Sequence, residues 1–339
     1  MTKTTVPRDR EGELIHRLAR IIPSAELRSH SRGLRIGIGD DATILRPIAG
    51  SEMAISCDSC LEGVHFHPKL QPPESVGYKS LARATSDLAA MGAIPSHFLL
   101  TLALPPEKTG KWLDRFAKGM AKAARRFRMI LIGGDISSGA SVLASVTVVG
   151  RLKSGKAVLR SGARPGDLIY VSGPLGRAQL GLEIVLRGLS GSASPRHLVQ
   201  HHFYPEIQLE LGIWLASHRV ASAMMDLSDG LSMDLPRLCG ASGVGARIFE
   251  TKIPKIVIPR PLHMHKLDPL GLALHGGEDY ELLFAVPPGK VRHLGRAPGA
   301  ASLKMIGEIT RTREIILVGS DGSAARLPSL GWDHFRGRK

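Results

Sequence analysis

Cysteine, aromatic side chains and acids are all scarce in this chain, and each shortage removes a class of protein. Three cysteines among 339 residues (Cys57, Cys60 and Cys239) are too few for a disulfide scaffold and fit a reducing compartment. Aromatic residues make up 4% of the chain, which leaves few platforms on which single-stranded nucleic acid could stack. No uninterrupted apolar run approaches the length of a membrane span, and the polar residues 1–13 lack the hydrophobic stretch of a signal peptide. A soluble, cytoplasmic protein with no membrane partner is therefore expected. What the chain does have is 43% hydrophobic residues and 38 glycines, enough for a substantial core in two domains.

Lysine and arginine number 45 against 30 acids, a formal net charge of +15. The densest basic runs lie at residues 115–128 and 336–339. In the first, Trp112, Phe116, Met120, Ala123 or Ala124, and Phe127 recur at helical spacing, which leaves Lys118, Lys122, Arg125 and Arg126 for a solvated face. The positive field suits anionic small substrates better than nucleic acid. A basic nucleic-acid binder is the alternative from another class, and it would retain DNA or RNA in a salt-dependent way without nucleotide turnover.

Against this background seven aspartates stand in apolar or glycine-rich surroundings. They are Asp40 and Asp41 in Gly37-Ile-Gly-Asp-Asp-Ala42, Asp58 in Ile55-Ser-Cys-Asp-Ser59, Asp87 in Thr85-Ser-Asp-Leu-Ala-Ala-Met-Gly92, Asp135 in Leu131-Ile-Gly-Gly-Asp135, and Asp226 and Asp229 in Met225-Asp-Leu-Ser-Asp-Gly230. Carboxylates so placed, with no basic neighbours in sequence, are costly unless something cationic neutralises them. Hard divalent cations with oxygen ligands meet that need. Any one of the seven, taken alone, also fits a turn or helix cap, and Asp229 before Gly230 and Asp135 after two glycines fit turns especially well.

Periodicity predicts helices over residues 11–22, 78–91 and 179–186 besides the basic one. Strands are expected over 34–38, 53–56, 97–104, 129–132, 141–149, 168–172, 281–286 and 315–318. Residues 188–195 are flexible by composition, and 263–272 are poorly patterned and expected to be loop. The Ser154-Gly155 turn and Arg160-Ser-Gly-Ala-Arg-Pro-Gly166 mark a boundary, giving domains over 1–155 and 156–339.

Other motifs fail on chemistry. Gly37-Ile-Gly-Asp-Asp-Ala42 imitates a dinucleotide fingerprint but places two carboxylates where bare amides should meet pyrophosphate. Gly150-Arg-Leu-Lys-Ser-Gly-Lys156 matches a P-loop until Ala157 replaces the magnesium-binding hydroxyl, so a hairpin turn is expected. Cys57-Asp-Ser-Cys60 has too few further soft ligands for zinc, and the pattern around it is that of a strand end, so both cysteines are expected to be packing residues. His65 and His67 are expected to alternate along an extended segment, and His201 and His202 to be structural.

The segments Gly37-Ile-Gly-Asp-Asp-Ala42, Glu62-Gly-Val-His-Phe66, Ser86-Asp-Leu-Ala-Ala-Met-Gly-Ala93, Gly133-Gly-Asp135, Arg160-Ser-Gly-Ala-Arg-Pro-Gly-Asp167, Met225-Asp-Leu-Ser-Asp-Gly-Leu231, Gly276-Gly-Glu-Asp-Tyr-Glu-Leu282 and Gly331-Trp-Asp-His-Phe335 follow one another in that order. Together they resemble the thiamine-monophosphate kinases, within the superfamily of aminoimidazole ribonucleotide synthetase and selenophosphate synthetase. The resemblance implies a PurM-like fold: an N-terminal α+β domain whose sheet pairs across a homodimer, and a C-terminal α/β domain. It implies transfer of the γ-phosphoryl group of ATP onto thiamine monophosphate, assisted by several Mg²⁺ ions. The family's metal ligands match Asp41, Ser56, Cys57 (by its backbone), Asp58, Asp87, Asp135, Asp226 and Asp229. Its ATP contacts match Gly134, Asp135, Arg160 and Ser228, and its substrate contacts match His65, Glu278 and Trp332. No general base is implied, because the acceptor phosphate is already anionic.

This chain departs from the family pattern at Cys57, Ile136 and Leu159, where threonine is usual. The nearest alternative is another ATP-dependent member of the superfamily. Selenophosphate synthetases carry a reactive cysteine or selenocysteine near the N-terminus, and hydrogenase-maturation relatives a C-terminal cysteine. Here the first cysteine is Cys57 and the chain closes Phe335-Arg-Gly-Arg-Lys339.

Overall fold

The computed structural model describes residues 10–22, 33–38, 42–189 and 196–335. By contact, the chain divides into two compact units. The first comprises residues up to 49, 55–84 and 95–149, and the second residues 50–54, 85–94 and 150 onward.

Unit 1 opens with α1 (Arg10–Ile21), a two-stranded sheet of β1 (Leu34–Ile36) and β2 (Ile44–Leu45), and the long strand β3 (Ser51–Leu61). Then follow α2 (Pro73–Met91), β4 (Ile94–Leu104), α3 (Lys111–Phe127), β5 (Ile130–Ser138) and β6 (Leu143–Lys153), the start of β3 and the ends of α2 and β6 being counted with unit 2. The four long strands form one sheet in the order β3-β6-β4-β5. Alternation along β4 buries Phe98, Leu100, Leu102 and Leu104, and on β6 it buries Ala144, Val146 and Val148. The opposite face stays open on β3, where Met53 and Ile55 are 55% and 62% exposed.

Helices α2 and α3 cross at glycines. A Cβ on Gly119 would lie 1.8 Å from the Glu74 carbonyl, and one on Gly77 would lie 2.0 Å from that of Phe116. No side chain fits between those backbones, and Tyr78 and Phe127 fill the space beside them with ring centroids 6.0 Å apart. The basic helix is as expected, with Phe116, Met120 and Phe127 buried and Lys118, Lys122, Arg125 and Arg126 exposed.

Unit 2 holds β7 (Leu168–Val171), α4 (Arg177–Leu186), α5 (Arg196–Phe203), α6 (Leu209–Ser217), β8 (Ala223–Asp226), α7 (Leu231–Ser242) and β9 (Gly245–Phe249). It continues with α8 (Pro269–His275), β10 (Leu282–Val286), β11 (Lys304–Thr310), β12 (Ile315–Val318) and β13 (Ala324–Arg326). Seven strands form a sheet in the order β13-β12-β9-β11-β7-β10-β8, antiparallel except where β12 runs parallel to β9. Its central strands are apolar on both faces, because both faces are covered. One face packs Ile169, Val171, Met225 and Leu283 with Leu235 and Leu238 of α7. The other packs Tyr170, Met224 and Phe284 with Leu211 and Leu215 of α6 and Ala89 of α2. An α+β unit followed by an α/β unit is the expected fold class.

Several local expectations fail. Asp135 lies inside β5 rather than in a turn, its glycines being strand residues. Cys57 lies inside β3 and Cys60 at its penultimate position, so the strand-end reading holds, but Cys57 is exposed and only Cys60 packs. Ser154-Gly155 is a turn, but the chain after it is not a strand, so there is no hairpin. His65 sits in a turn rather than an extended segment. Residues 263–272 are not plain loop: a 3₁₀ turn over Arg260–His265 precedes α8, whose N-cap Asp268 accepts the Leu270 amide. Asp40, Asp41 and residues 190–195 lie outside the described residues.

Candidate active site

In unit 1 the expected site residues lie on two strands and one turn. The pleat of β3 puts Ser56 and Asp58, both half-buried, on the opposite side from the exposed Cys57. Arg83 of α2 brings Nε to 3.9 Å from the Asp58 carboxylate. On the other face Cys57 Sγ lies 3.4 Å from the hydroxyls of Ser145 and Thr147, a polar setting that a threonine would share. Asp135 is exposed on β5, in register with Thr101 of β4. Just before it, Gly134 has φ 150° and approaches β4 so closely that a Cβ would lie 1.9 Å from the Leu100 carbonyl, so the position accepts only glycine. Ile136 points into the core at 5% exposure, away from the side Asp135 occupies, which makes its departure from threonine a packing matter.

The sheet order keeps Asp58 and Asp135 apart within one chain. They stand on its two edge strands, three strand spacings or roughly 14 Å across. His65 is fixed by the Leu61 amide, which donates to Nδ1 at 3.0 Å. The same turn is anchored by Glu62, which accepts from Lys108 Nζ at 2.7 Å and the Val142 amide at 3.0 Å. Burial alone would raise the Glu62 pKa, but these donors hold it below the usual carboxylate range.

In unit 2 the sequence motifs meet. Strand β8 ends at Asp226, buried to 3% exposure, whose carboxylate accepts from Ser86 Oγ at 2.6 Å. Ser86 lies on α2 beside the half-buried Asp87. Main-chain bonds then join three distant segments into one loop cluster. The Glu278 amide donates to the Ser228 carbonyl at 2.8 Å, the Tyr280 amide to that of Leu227 at 2.9 Å, and the Trp332 amide to that of Asp229 at 3.0 Å. Ser228, Asp229, Glu278 and Trp332 are thereby brought together. Trp332 is 36% exposed, and Arg160 is also exposed, its carbonyl accepting from Ser242 Oγ at 2.9 Å.

Two carboxylates that sequence reasoning passed over hold this cluster in shape. Asp234, fully buried in the first turn of α7, accepts the Ser228 and Asp229 amides, both at 3.0 Å. Arg237 Nη1 donates to Asp234 at 2.7 Å and to Asp229 at 2.6 Å, so the acids do find basic partners that lie further along the chain. Burial pushes the Asp234 pKa up to about 6. Asp279 accepts the Gly176 amide at 2.6 Å and the Ala178 amide at 2.9 Å, capping the N-terminus of α4, and burial raises its pKa to about 6. An acid in the first turn of a helix was the available signal for Asp234; nothing in the sequence pointed to the long-range cap made by Asp279. Next to Asp279, Glu281 is 7% exposed and bonded to the Ser172 hydroxyl, and burial raises its pKa to about 7.

Among the described residues no three His, Cys, Asp or Glu side chains converge as a ready metal cage, and no helix is long and apolar enough to cross a membrane.

Comparison with known proteins follows the same two segments. Residues 39–152 match the model of the AIR synthase related protein N-terminal domain, and residues 164–320 that of its C-terminal domain. The chain is 37% identical over 313 residues to a thiamine-monophosphate kinase of Salmonella typhimurium, covering 91% of this chain and 94% of that protein. The crystal structure of the thiamine-monophosphate kinase from Stenotrophomonas maltophilia superposes with a TM-score of 0.75 at 33% identity, over 88% of this chain and 96% of that one. AaThiL complexed with AMPPCP and TMP superposes with a TM-score of 0.73 at 31% identity, over 85% of this chain and 89% of that one.

Proposed function

The chain belongs to the thiamine-monophosphate kinase family, and from that membership we propose that it transfers the γ-phosphoryl group of ATP directly onto thiamine monophosphate, giving thiamine diphosphate and ADP. The observation that carries this reading beyond likeness is the loop cluster of unit 2. There, residues matching nucleotide, acceptor and metal contacts are bonded to one another through the main chain.

In this reading Gly134, Asp135, Arg160 and Ser228 hold ATP. Arg160, exposed and forked, meets phosphate oxygens. His65, Glu278 and Trp332 hold the acceptor: the indole gives a flat face to a heteroaromatic cation, and the carboxylate of Glu278 meets its positive charge. Positioning and charge neutralisation then suffice for transfer to a phosphate that is already anionic.

Mg²⁺ is the proposed metal, and the residues fit it. The donors are hard oxygens, and Asp229 already faces a cation, Arg237 at 2.6 Å. A magnesium ion uses one or two protein carboxylates and completes its shell with water and phosphate. Asp226, Asp229, Asp87, Asp58 and Asp135 would hold such ions, with Asp41, Ser56 and the Cys57 backbone. When bound, they neutralise the polyphosphate as charge moves onto the leaving oxygen.

A homodimer in the cytoplasm completes the reading, with domains dividing near residue 155. The exposed Met53 and Ile55 favour sheet-to-sheet pairing of two copies. The test is to incubate the protein with ATP, Mg²⁺ and thiamine monophosphate, with free thiamine as control acceptor and a parallel series without metal. Thiamine diphosphate is expected from the monophosphate alone and only with metal. Product from free thiamine, or none from the monophosphate, overturns the proposal.

A further inference from the structure

Glu278 has a backbone that few side chains adopt. Its φ is 66°, and that of Tyr280 two residues on is 52°. Left-handed conformations at non-glycine residues are strained and persist only where the surroundings enforce them. Here the surroundings are α4 and α5. Asp279 ties the loop to the N-terminus of α4 through the Gly176 and Ala178 amides. Helix α5 lies against α4 at Gly181, where a Cβ would stand 2.8 Å from the Leu198 carbonyl and 2.9 Å from His202 Cβ.

That close approach delivers His202, only 3% exposed, to the Glu278 carboxylate. Its Nδ1 lies 3.2 Å from Oε2, at ion-pair distance though off the line of a straight hydrogen bond. One edge of the imidazole ring meets Phe203, with ring centroids 5.7 Å apart, while Nδ1 is turned to the half-buried Glu278 carboxylate. The apolar cluster of these helices is made by Leu180, Ile184, Val199, Phe203, Ile258 and Leu262.

We propose that His202 is a positioning residue for the acceptor, holding the Glu278 carboxylate in the orientation that meets the cationic ring system of the substrate. The inference rests on the reading of Glu278 as an acceptor contact. A free glutamate side chain surrenders rotamer freedom when it engages a ligand, and one fixed in advance by His202 has already lost it. Removing the contact therefore weakens acceptor binding without touching phosphoryl transfer.

The test compares two variants of similar bulk. His202→Leu fills the space without a polar atom, and His202→Asn places an amide nitrogen near the Nδ1 position. Both are read by steady-state kinetics with each substrate varied, and by calorimetric titration of thiamine monophosphate without ATP. In H202L the acceptor KM and Kd should rise about tenfold, with the ATP KM and kcat changed less than twofold. H202N should recover most of that loss, and H202L should add little on top of Glu278→Gln. A uniform fall in kcat, an unchanged acceptor Kd in H202L, or equal behaviour of the two variants overturns the proposal. If Glu278→Gln itself leaves acceptor binding unchanged, the assignment of Glu278 fails and the inference falls with it. If Glu278→Gln weakens binding and H202L does not, only the role of His202 is lost.

Discussion

Glu281 shows how a single buried acid can make folding depend on pH. It is nearly inaccessible, bonded to Ser172, and sits beside Asp279, so burial first and like charge second favour its neutral form and raise its pKa to about 7. A carboxyl whose folded pKa exceeds its unfolded value near 4.5 contributes stability that is fully present below about pH 4.5 and is lost as pH rises through 7. Glu281→Gln keeps a neutral acceptor for the Ser172 hydroxyl and removes that dependence. Denaturant melts should find the variant more stable than the parent at pH 8, by on the order of 3 kcal/mol, with the gain gone near pH 4. A difference independent of pH would mean that Glu281 does not titrate in this window.

At the scale of elements, the crossing of α2 and α3 is set by backbone contact at Gly77 and Gly119. Gly119→Ala places a methyl group inside the reach of the Glu74 carbonyl, so the helices must separate and the core beneath them loosen. A destabilisation of about 3 kcal/mol is expected, measurable as a lower midpoint in chemical denaturation. An alanine variant as stable as the parent would show that the two backbones part without loss.

Elements with a clean period were legible in the sequence: α1, α3, β4, β12 and the apolar β10 lie within a few residues of expectation. Helix α7 was hidden by Pro236 and by glycine and serine within it, since propensity argues against a helix that its buried Leu231, Leu235 and Leu238 secure by packing. Helix α5 is short, with a single turn of apolar spacing, and β8 and β11 are too brief or too polar to carry a pattern. The proposed site roles of Glu278, Ser228, Asp229 and Trp332 came from motifs. That they meet, and that Asp234, Asp279 and His202 hold them there, depends on contacts across as many as 103 positions, beyond the reach of any local window.

For the molecule as a whole, charge and assembly remain to be joined. With a formal charge of +15 and two anionic substrates, association should weaken with ionic strength more than transfer does. Sedimentation equilibrium at moderate salt is expected to give twice the mass of the 36.4 kDa chain. A monomer at micromolar concentration would leave the exposed strand face around Met53 and Ile55 without its second copy, and would overturn the dimer proposal.

The fully buried Asp234 bears on how a ligand is met. Because its carboxylate grips two consecutive peptide groups from beneath, the Ser228 and Asp229 segment has its curvature before anything docks there. The nucleotide recognition proposed for that spot then resembles a key entering a rigid lock more than a glove closing on a hand. Order parameters for these two amides should therefore match those of the neighbouring strand whether or not nucleotide is present.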